Sequence, residues 1–311
     1  MATVIKTVNL TKRYGSLVAL SNLNLEIAEG DCFGFIGPNG AGKTTTIKIL
    51  STLLQPTWGE ARICDLVIGY QSRQIRPLIG YVPDYFGAYE DMVVREYLEF
   101  FAAAYNINGP ARSKIVNEVL ELTDLGYKQD APVDGLSRGM KQRLSIARVL
   151  VHDPKVLLLD EPAGNLDPRA RIEMRELLKE LRRMGKTILI SSHILPELAD
   201  LCNTVGIIER GELLYSGPVA EIVRRARAGT VLHVAVADNL PAAQALLARD
   251  PNVQSITANN EHLEIALKTG ITDYSFIPRQ LVAGGFKLTL LKEEDVNLET
   301  AFMRLTKGIV Q

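Results

Sequence analysis

GPNGAGKT, residues 37–44, decides the fold of this chain because of what stands on either side of it. The apolar run CFGFI, residues 32–36, precedes it, and TTTIKILSTLL, residues 44–54, follows with helix-forming character. The octet fits GxxxxGK[ST], so its context predicts a strand, a glycine-rich turn and a helix. Glycines allow successive backbone N–H groups to point inward, where they join the positive end of the following helix in cradling phosphate oxygens. Gly37, Asn39, Gly40, Ala41, Gly42 and Thr45 belong to that cradle. Lys43 reaches the β- and γ-phosphates, and the Thr44 hydroxyl takes a Mg²⁺ site.

A nucleoside triphosphate needs a further metal-holding group and something to orient water. KVLLLDEP, residues 155–162, supplies both: Asp160 ends an apolar strand and can hold Mg²⁺ through water, and Glu161 can polarise the attacking water as general base. Alone, those letters equally describe a strand ending in a solvated acidic turn; the phosphate loop decides between the two. A further strand, KTILISSH (186–193), follows the helical RARIEMRELLKELRRMG (169–185). Strands alternating with helices predict an α/β fold with a mostly parallel sheet and ligand groups at its carboxyl ends.

Between these parts the pattern turns helical, in VVREYLEFFAAAYNI (93–107), ARSKIVNEVLELTDL (111–125) and the stretch from Leu136. This predicts a helical insert over about residues 85–150. After RRARAGT the character changes again: strands VLHVAV, VQSITA, HLEIAL and KLTLL surround helices PAAQALLARD and FIPRQLVAGG. The order βαββαβ predicts a small α+β ferredoxin-like domain at 229–311, behind a main domain at 1–228, with the boundary near Gly229 and a closing helix capped by Asn297.

Composition narrows the class. The 311 residues are 47% hydrophobic and 23% charged, enough to bury a core. Thirty-five Lys and Arg against 36 Asp and Glu leave a net charge of −1, which weighs against a nucleic-acid partner. Cys32, Cys64 and Cys202 form no CxxC or Cys/His ligand spacing, so neither a metal site nor a disulfide framework is expected. No leader-like apolar core opens the chain, and no window of about 18 residues is free of charges. If the chain serves a membrane process, it must dock on another chain that crosses the bilayer.

LSRGMKQRLSIARVL, residues 136–150, resembles the signature helix that separates ABC (ATP-binding cassette) ATPases from other phosphate-loop enzymes. Ser137 is a good N-cap, and Gly139 permits close backbone approach. The resemblance covers residues 1 to about 220, with the motifs in the family's order. It implies that Tyr14 stacks on adenine, that Asp167 in NLDP joins the sites of two subunits, and that His193 contacts the γ-phosphate and Glu161. It also implies a head-to-tail pair closing over two Mg·ATP, in which Ser137 and Gly139 of each copy complete the other's site. The expected partners are a second ATP-binding subunit and an integral-membrane permease. The expected place is cytoplasmic, peripheral on the inner face of the membrane.

Three residues depart from the family pattern. Asp84 stands where Gln is usual, so its contact with Mg²⁺ and water differs from that of an amide. Arg138 and Met140 replace the commoner Gly and Gln. PDYFGAYEDM (83–92) and the ending NLETAFMRLTKG (297–308) resemble the exporter branch that moves drugs, antibiotics or lipids, and the segment Asp84 to Met92 is the expected permease contact. Two other readings remain: a soluble ABC ATPase acting on ribosomes or DNA, whose usual second cassette or coiled-coil insertion is missing here, and a module that binds ATP without turnover, which Glu161 and His193 oppose.

Overall fold

A computed structural model describes residues 2–85, 87, 91–226, 230–259, 261–268, 270–271, 273–294 and 298–306. The chain divides into two compact units, Met1–Val219 and Ala220–Arg304. The expected boundary at Gly229 and the expected cap Asn297 lie outside the described residues.

The first unit opens with β1 (Thr3–Tyr14), β2 (Leu17–Ala28) and β3 (Cys32–Ile36), followed by α1 (Lys43–Leu50). Next come β4 (Trp58–Ile63), β5 (Leu66–Val67), α2 (Ser72–Ile75) and β6 (Ile79–Val82), then the helices α3 (Val94–Ala104), α4 (Pro110–Leu122) and α5 (Arg138–Leu150). The unit continues through β7 (Val156–Asp160), α6 (Pro168–Arg183), β8 (Thr187–Ser192), α7 (Leu195–Leu201), β9 (Thr204–Glu209) and β10 (Glu212–Pro218), and α8 (Val219–Ala226) follows.

Two sheets share its core. One has the order β10-β9-β3-β8-β7-β6, parallel from β9 to β6, with β10 antiparallel at the edge. Every residue of β3, β7 and β8 is buried, as the unbroken apolar runs of those strands require of a parallel sheet covered on both faces. The other sheet is antiparallel, β2-β1-β4-β5. Ile47, Ile49 and Leu50 of α1 pack in one cluster with Leu23 and Ile63 of that sheet and with Phe35, Leu158 and Leu189 of the parallel one. The helix of the phosphate loop is therefore fixed from both sides.

The parallel sheet and helical insert agree with the sequence reading. The first two strands, however, form a separate sheet with β4 and β5, and the sequence reading missed β4, β5, β9 and β10. Glu60 and Arg62 interrupt the apolar character of β4, and Gly59 near its start weakens the strand signal further. Cys32 and Cys202, distant in sequence, bring their sulfurs to 3.7 Å as buried free thiols.

In the second unit β11 (Val231–Val236), α9 (Leu240–Leu247), β12 (Val253–Ala258), β13 (Leu263–Leu267), α10 (Phe276–Ala283) and β14 (Leu288–Glu293) make an antiparallel sheet of order β12-β13-β11-β14; α11 (Leu298–Leu305) follows. This is the split βαβ order expected of a ferredoxin-like domain. Its core joins Leu232, Val234, Leu263 and Ile265 to Ala243 and Leu247 of α9 and Ile277 and Leu281 of α10.

Ser137 caps α5, its hydroxyl accepting from the Met140 N–H at 3.3 Å. Behind the cap, Gly139 lies so close to α6 that a Cβ there would sit 2.7 Å from Ala170 Cβ. This glycine is therefore needed within the chain itself. Gly139→Ala is expected to cost about 1–3 kcal/mol by overpacking, read as a lower thermal midpoint, and Ala170→Gly in the same chain is expected to restore most of it. A midpoint unchanged by Gly139→Ala would refute the contact.

Candidate active site

Sheet register assembles the site before any side chain is considered. β3, β8 and β7 are parallel neighbours, with Ile36 level with Ser192 and Ser191 level with Asp160. The residues that follow, Gly37, His193 and Glu161, consequently emerge at the same sheet edge. The turn into α1 bends over that edge through Gly42, whose φ of 109° belongs to the left-handed region. A Cβ at Gly42 would come within 2.7 Å of the Ala19 carbonyl, so no other residue fits.

Lys43 is 6% exposed and donates from Nζ to the carbonyls of Gly37 at 2.6 Å and Pro38 at 3.1 Å. Nζ also stands 3.8 Å from Glu161 Oε1. Burial lowers the Lys43 pKa, opposed by the charges of Glu161 and Asp160. The ammonium has three donors, and the loop engages two. An anion above the loop would both use the third and relieve the desolvation.

Asp160 is 1% exposed. Its Oδ1 accepts from Ser191 Oγ at 2.7 Å and Thr44 Oγ1 at 3.2 Å, whereas Oδ2 is buried without a hydrogen-bond partner. Burial raises its pKa, with the charges of Asp84 and Glu161 adding to the rise and the two hydroxyls opposing it. An unpartnered, desolvated carboxylate oxygen beside a threonine hydroxyl is the all-oxygen donor set that a hard cation such as Mg²⁺ takes. The residues present fit that ion.

Glu161 has φ 49°, an uncommon backbone state for this residue. The strand beside it holds it there: its N–H donates to Ser191 Oγ at 3.0 Å and to the Ser191 carbonyl at 3.2 Å. The turned backbone directs the carboxylate toward the loop, where Oε2 lies 2.8 Å from His193 Nδ1.

These groups open on a cleft of about 540 Å³. Of the residues singled out in the sequence, Tyr14, Asn39, Gly40, Ala41, Gly42, Lys43, Thr44, Thr45, Asp84, Glu161 and His193 line it. Asp160 lies beneath the lining, and Gly37 is linked to it through Lys43. Tyr14 is half exposed, with Lys12 Nζ 5.3 Å from its ring centroid. Ser137, Gly139 and Asp167 do not line the cleft; Ser137 and Asp167 are exposed, and the Asp167 carboxylate caps α6 by accepting from the Ala170 N–H at 2.9 Å.

The sequence reading missed Ser191, which binds both Asp160 and the backbone of Glu161. Its signal was a hydroxyl pair between an apolar strand and a histidine. Leu17, Ala19, Gly164 and Asn165 also line the cleft and gave no chemical signal of their own.

Comparison with known proteins gives the family of the chain. Residues 20–164 match the family model described as ABC transporter. The chain is 38% identical over 301 residues to the Nod factor export ATP-binding protein I of Burkholderia orbicola, spanning 96% of this chain and 95% of the relative. It is 42% identical over 228 residues to a bacitracin transport ATP-binding protein of Bacillus licheniformis, covering 73% and 74%. Among solved structures, an ATP-binding subunit of an ABC transporter superposes with a TM-score of 0.65 at 27% identity, covering 72% of this chain and 93% of that one. The dimeric post-hydrolysis state of an ATP-binding cassette with ADP and phosphate gives 0.62 at 29%, covering 69% and 98%.

Burial of the Asp160 carboxyl makes the stability of the fold depend on pH. A carboxyl shifted upward on folding favours the fold only while protonated, below the ordinary value of about 3.9, and loses that contribution as pH rises through the raised value. At neutral pH the ionised group costs stability. Asp160→Asn is expected to raise the nucleotide-free thermal midpoint at pH 7.5 by about 2–4 °C, the response to roughly 1 kcal/mol, while abolishing the further rise on adding Mg·ATP. Calorimetric scans with and without Mg·ATP check both, and a lowered midpoint in the variant would contradict the assignment.

Proposed function

The chain belongs to the ABC transporter family as its ATP-hydrolysing subunit, and we propose that it drives export through a separate membrane permease, working as one of two nucleotide-binding halves. The observation that carries this reading is a division of labour. Lys43, Thr44, Glu161 and His193 surround one cleft, while the capped start of α5 at Ser137 is exposed outside it. A helix N-terminus presented to solvent favours an anion. The neighbour's γ-phosphate is the anion that a head-to-tail pair would bring, with Gly139 and Asp167 near the same surface and an identical second copy as the simplest partner.

Within one half the chemistry follows from the contacts. Lys43, held by the loop carbonyls, places its charge against the β- and γ-phosphate oxygens, and Tyr14 offers its exposed ring to the adenine. Glu161 accepts the proton of the attacking water. His193 bonds one carboxylate oxygen and so leaves the other, Oε1, for that water. The Thr44 hydroxyl and Asp160, with Asp84 at the cleft, would hold Mg²⁺, which would neutralise charge on the phosphate oxygens. Hydrolysis then breaks the bond between the β- and γ-phosphates, departure of the phosphate takes away the charge that joined the two halves, and the pair reopens.

Export is favoured by the relative named for Nod factor export, which matches along nearly the whole chain. No helix among the described residues is long and apolar enough to cross a membrane, which is consistent with a peripheral subunit on the cytoplasmic face. Asp84 to Met92 is the segment proposed to meet the permease, and its residues 86 and 88–90 lie outside the described residues. Tyr85 there is 78% exposed. Nucleic acid has no part in this reading.

Glu161→Gln is expected to bind ATP, lose at least about a hundredfold in phosphate release, and run as a dimer in gel filtration with saturating ATP. A monomer that still binds ATP would end the clamp model. A photoreactive group at position 85 is expected to label a copurified membrane chain, and labelling of soluble proteins alone would remove this segment from the permease interface.

A further inference from the structure

The second unit carries a side-chain cluster that the nucleotide chemistry does not use. The chain has four histidines, and two of them, His233 and His262, meet here with ring centroids 4.9 Å apart in an edge-to-face arrangement. Strand periodicity explains the meeting. On β11, Leu232 and Val234 are buried in the core with α9 and α10, so His233 between them faces the other side of the sheet. On β13, Leu263 and Ile265 are buried likewise, which turns Glu264 to that same side together with His262 just before the strand. The antiparallel register seats Glu264 directly opposite His233.

We propose that His233, His262 and Glu264 form a binding site for a divalent first-row transition-metal cation, with Zn²⁺ as the fitting probe. One ligand atom from each residue lies within 4.8 Å of the other two, and His262 Nε2 is 3.9 Å from Glu264 Oε1. Ligands bonded to tetrahedral zinc at about 2.0–2.1 Å stand roughly 3.3 Å from one another, a closure that side-chain rotation supplies. Two imidazoles and a carboxylate suit zinc and its neighbours, and exclude preference for Mg²⁺ or Ca²⁺, which take oxygen.

The surroundings favour the ligating form of His262. Asn259 Oδ1 accepts from the backbone N–H groups of Glu261 at 3.0 Å and His262 at 2.8 Å, which fixes its amide with Nδ2 facing His262 Nε2 at 3.1 Å. A donor aimed at that nitrogen matches its use as the lone-pair side of the ring. The cation would take the Nε2 lone pair in place of the amide. On the far side of His233, β14 places Lys292 opposite it, a positive charge that moderates affinity. The site would tie β11 to β13 across the sheet face turned away from α9 and α10, and it is independent of the transport reading.

The full-length protein, stripped with EDTA and titrated with Zn²⁺ in calorimetry, is expected to hold one equivalent with a dissociation constant of about 10 µM or tighter, counted by elemental analysis after desalting. Zn²⁺ is expected to raise the thermal midpoint of the wild type, by mass action on the folded form. His233→Ala with His262→Ala is expected to lose that equivalent and the midpoint rise, and Glu264→Gln to weaken binding at least about tenfold. His193→Ala and Cys64→Ser are expected to keep it. A wild type that binds no zinc, a double variant that keeps the equivalent, or loss in His193→Ala or Cys64→Ser would overturn the proposal.

Discussion

The site depends on taking two opposite charges, Lys43 and Asp160, out of water at the carboxyl edge of a parallel sheet. Neither satisfies the other outright. Lys43 is held by loop carbonyls and feels two carboxylates, while Asp160 keeps one oxygen bonded to hydroxyls and the other bare. Burial shifts both groups toward their neutral forms. Such a pair is held in an unfavourable state that a phosphate and a hard cation relieve together. The all-buried strands on both sides keep the groups from relaxing.

The same economy of position governs α5 and α6. Ser137 and Asp167 each cap their helix from within the chain, yet both remain exposed, so their structural duty leaves them available to a second molecule. Gly139 joins these duties, because the close approach that its lack of a side chain permits is first an approach of one helix to another inside the subunit. A surface built this way is held in place by its own chain before any partner arrives.

Much of this was legible in the sequence, for a physical reason. The phosphate loop, the acidic strand end and the signature helix are contiguous runs whose chemistry is local, and the all-apolar strands announce their own burial. Contacts set by register were not legible. Ser191 reaches Asp160 because β7 and β8 are level at that point. Cys32 and Cys202 meet because Asn203, beside Cys202, binds the Cys32 N–H across 171 residues of chain. His233 and Glu264 meet because β11 and β13 pair although they are not consecutive. The mixed composition of β4 likewise hides a strand whose place is given by β1 rather than by its own pattern.

Glu161 occupies a backbone conformation that glycine, asparagine and aspartate adopt more readily, at a cost of about 1 kcal/mol for other residues. Replacing Glu161 by one of those residues would relax the turn while shortening or removing the carboxylate proposed as the base, so at this one position stability and the proposed chemistry pull in opposite directions.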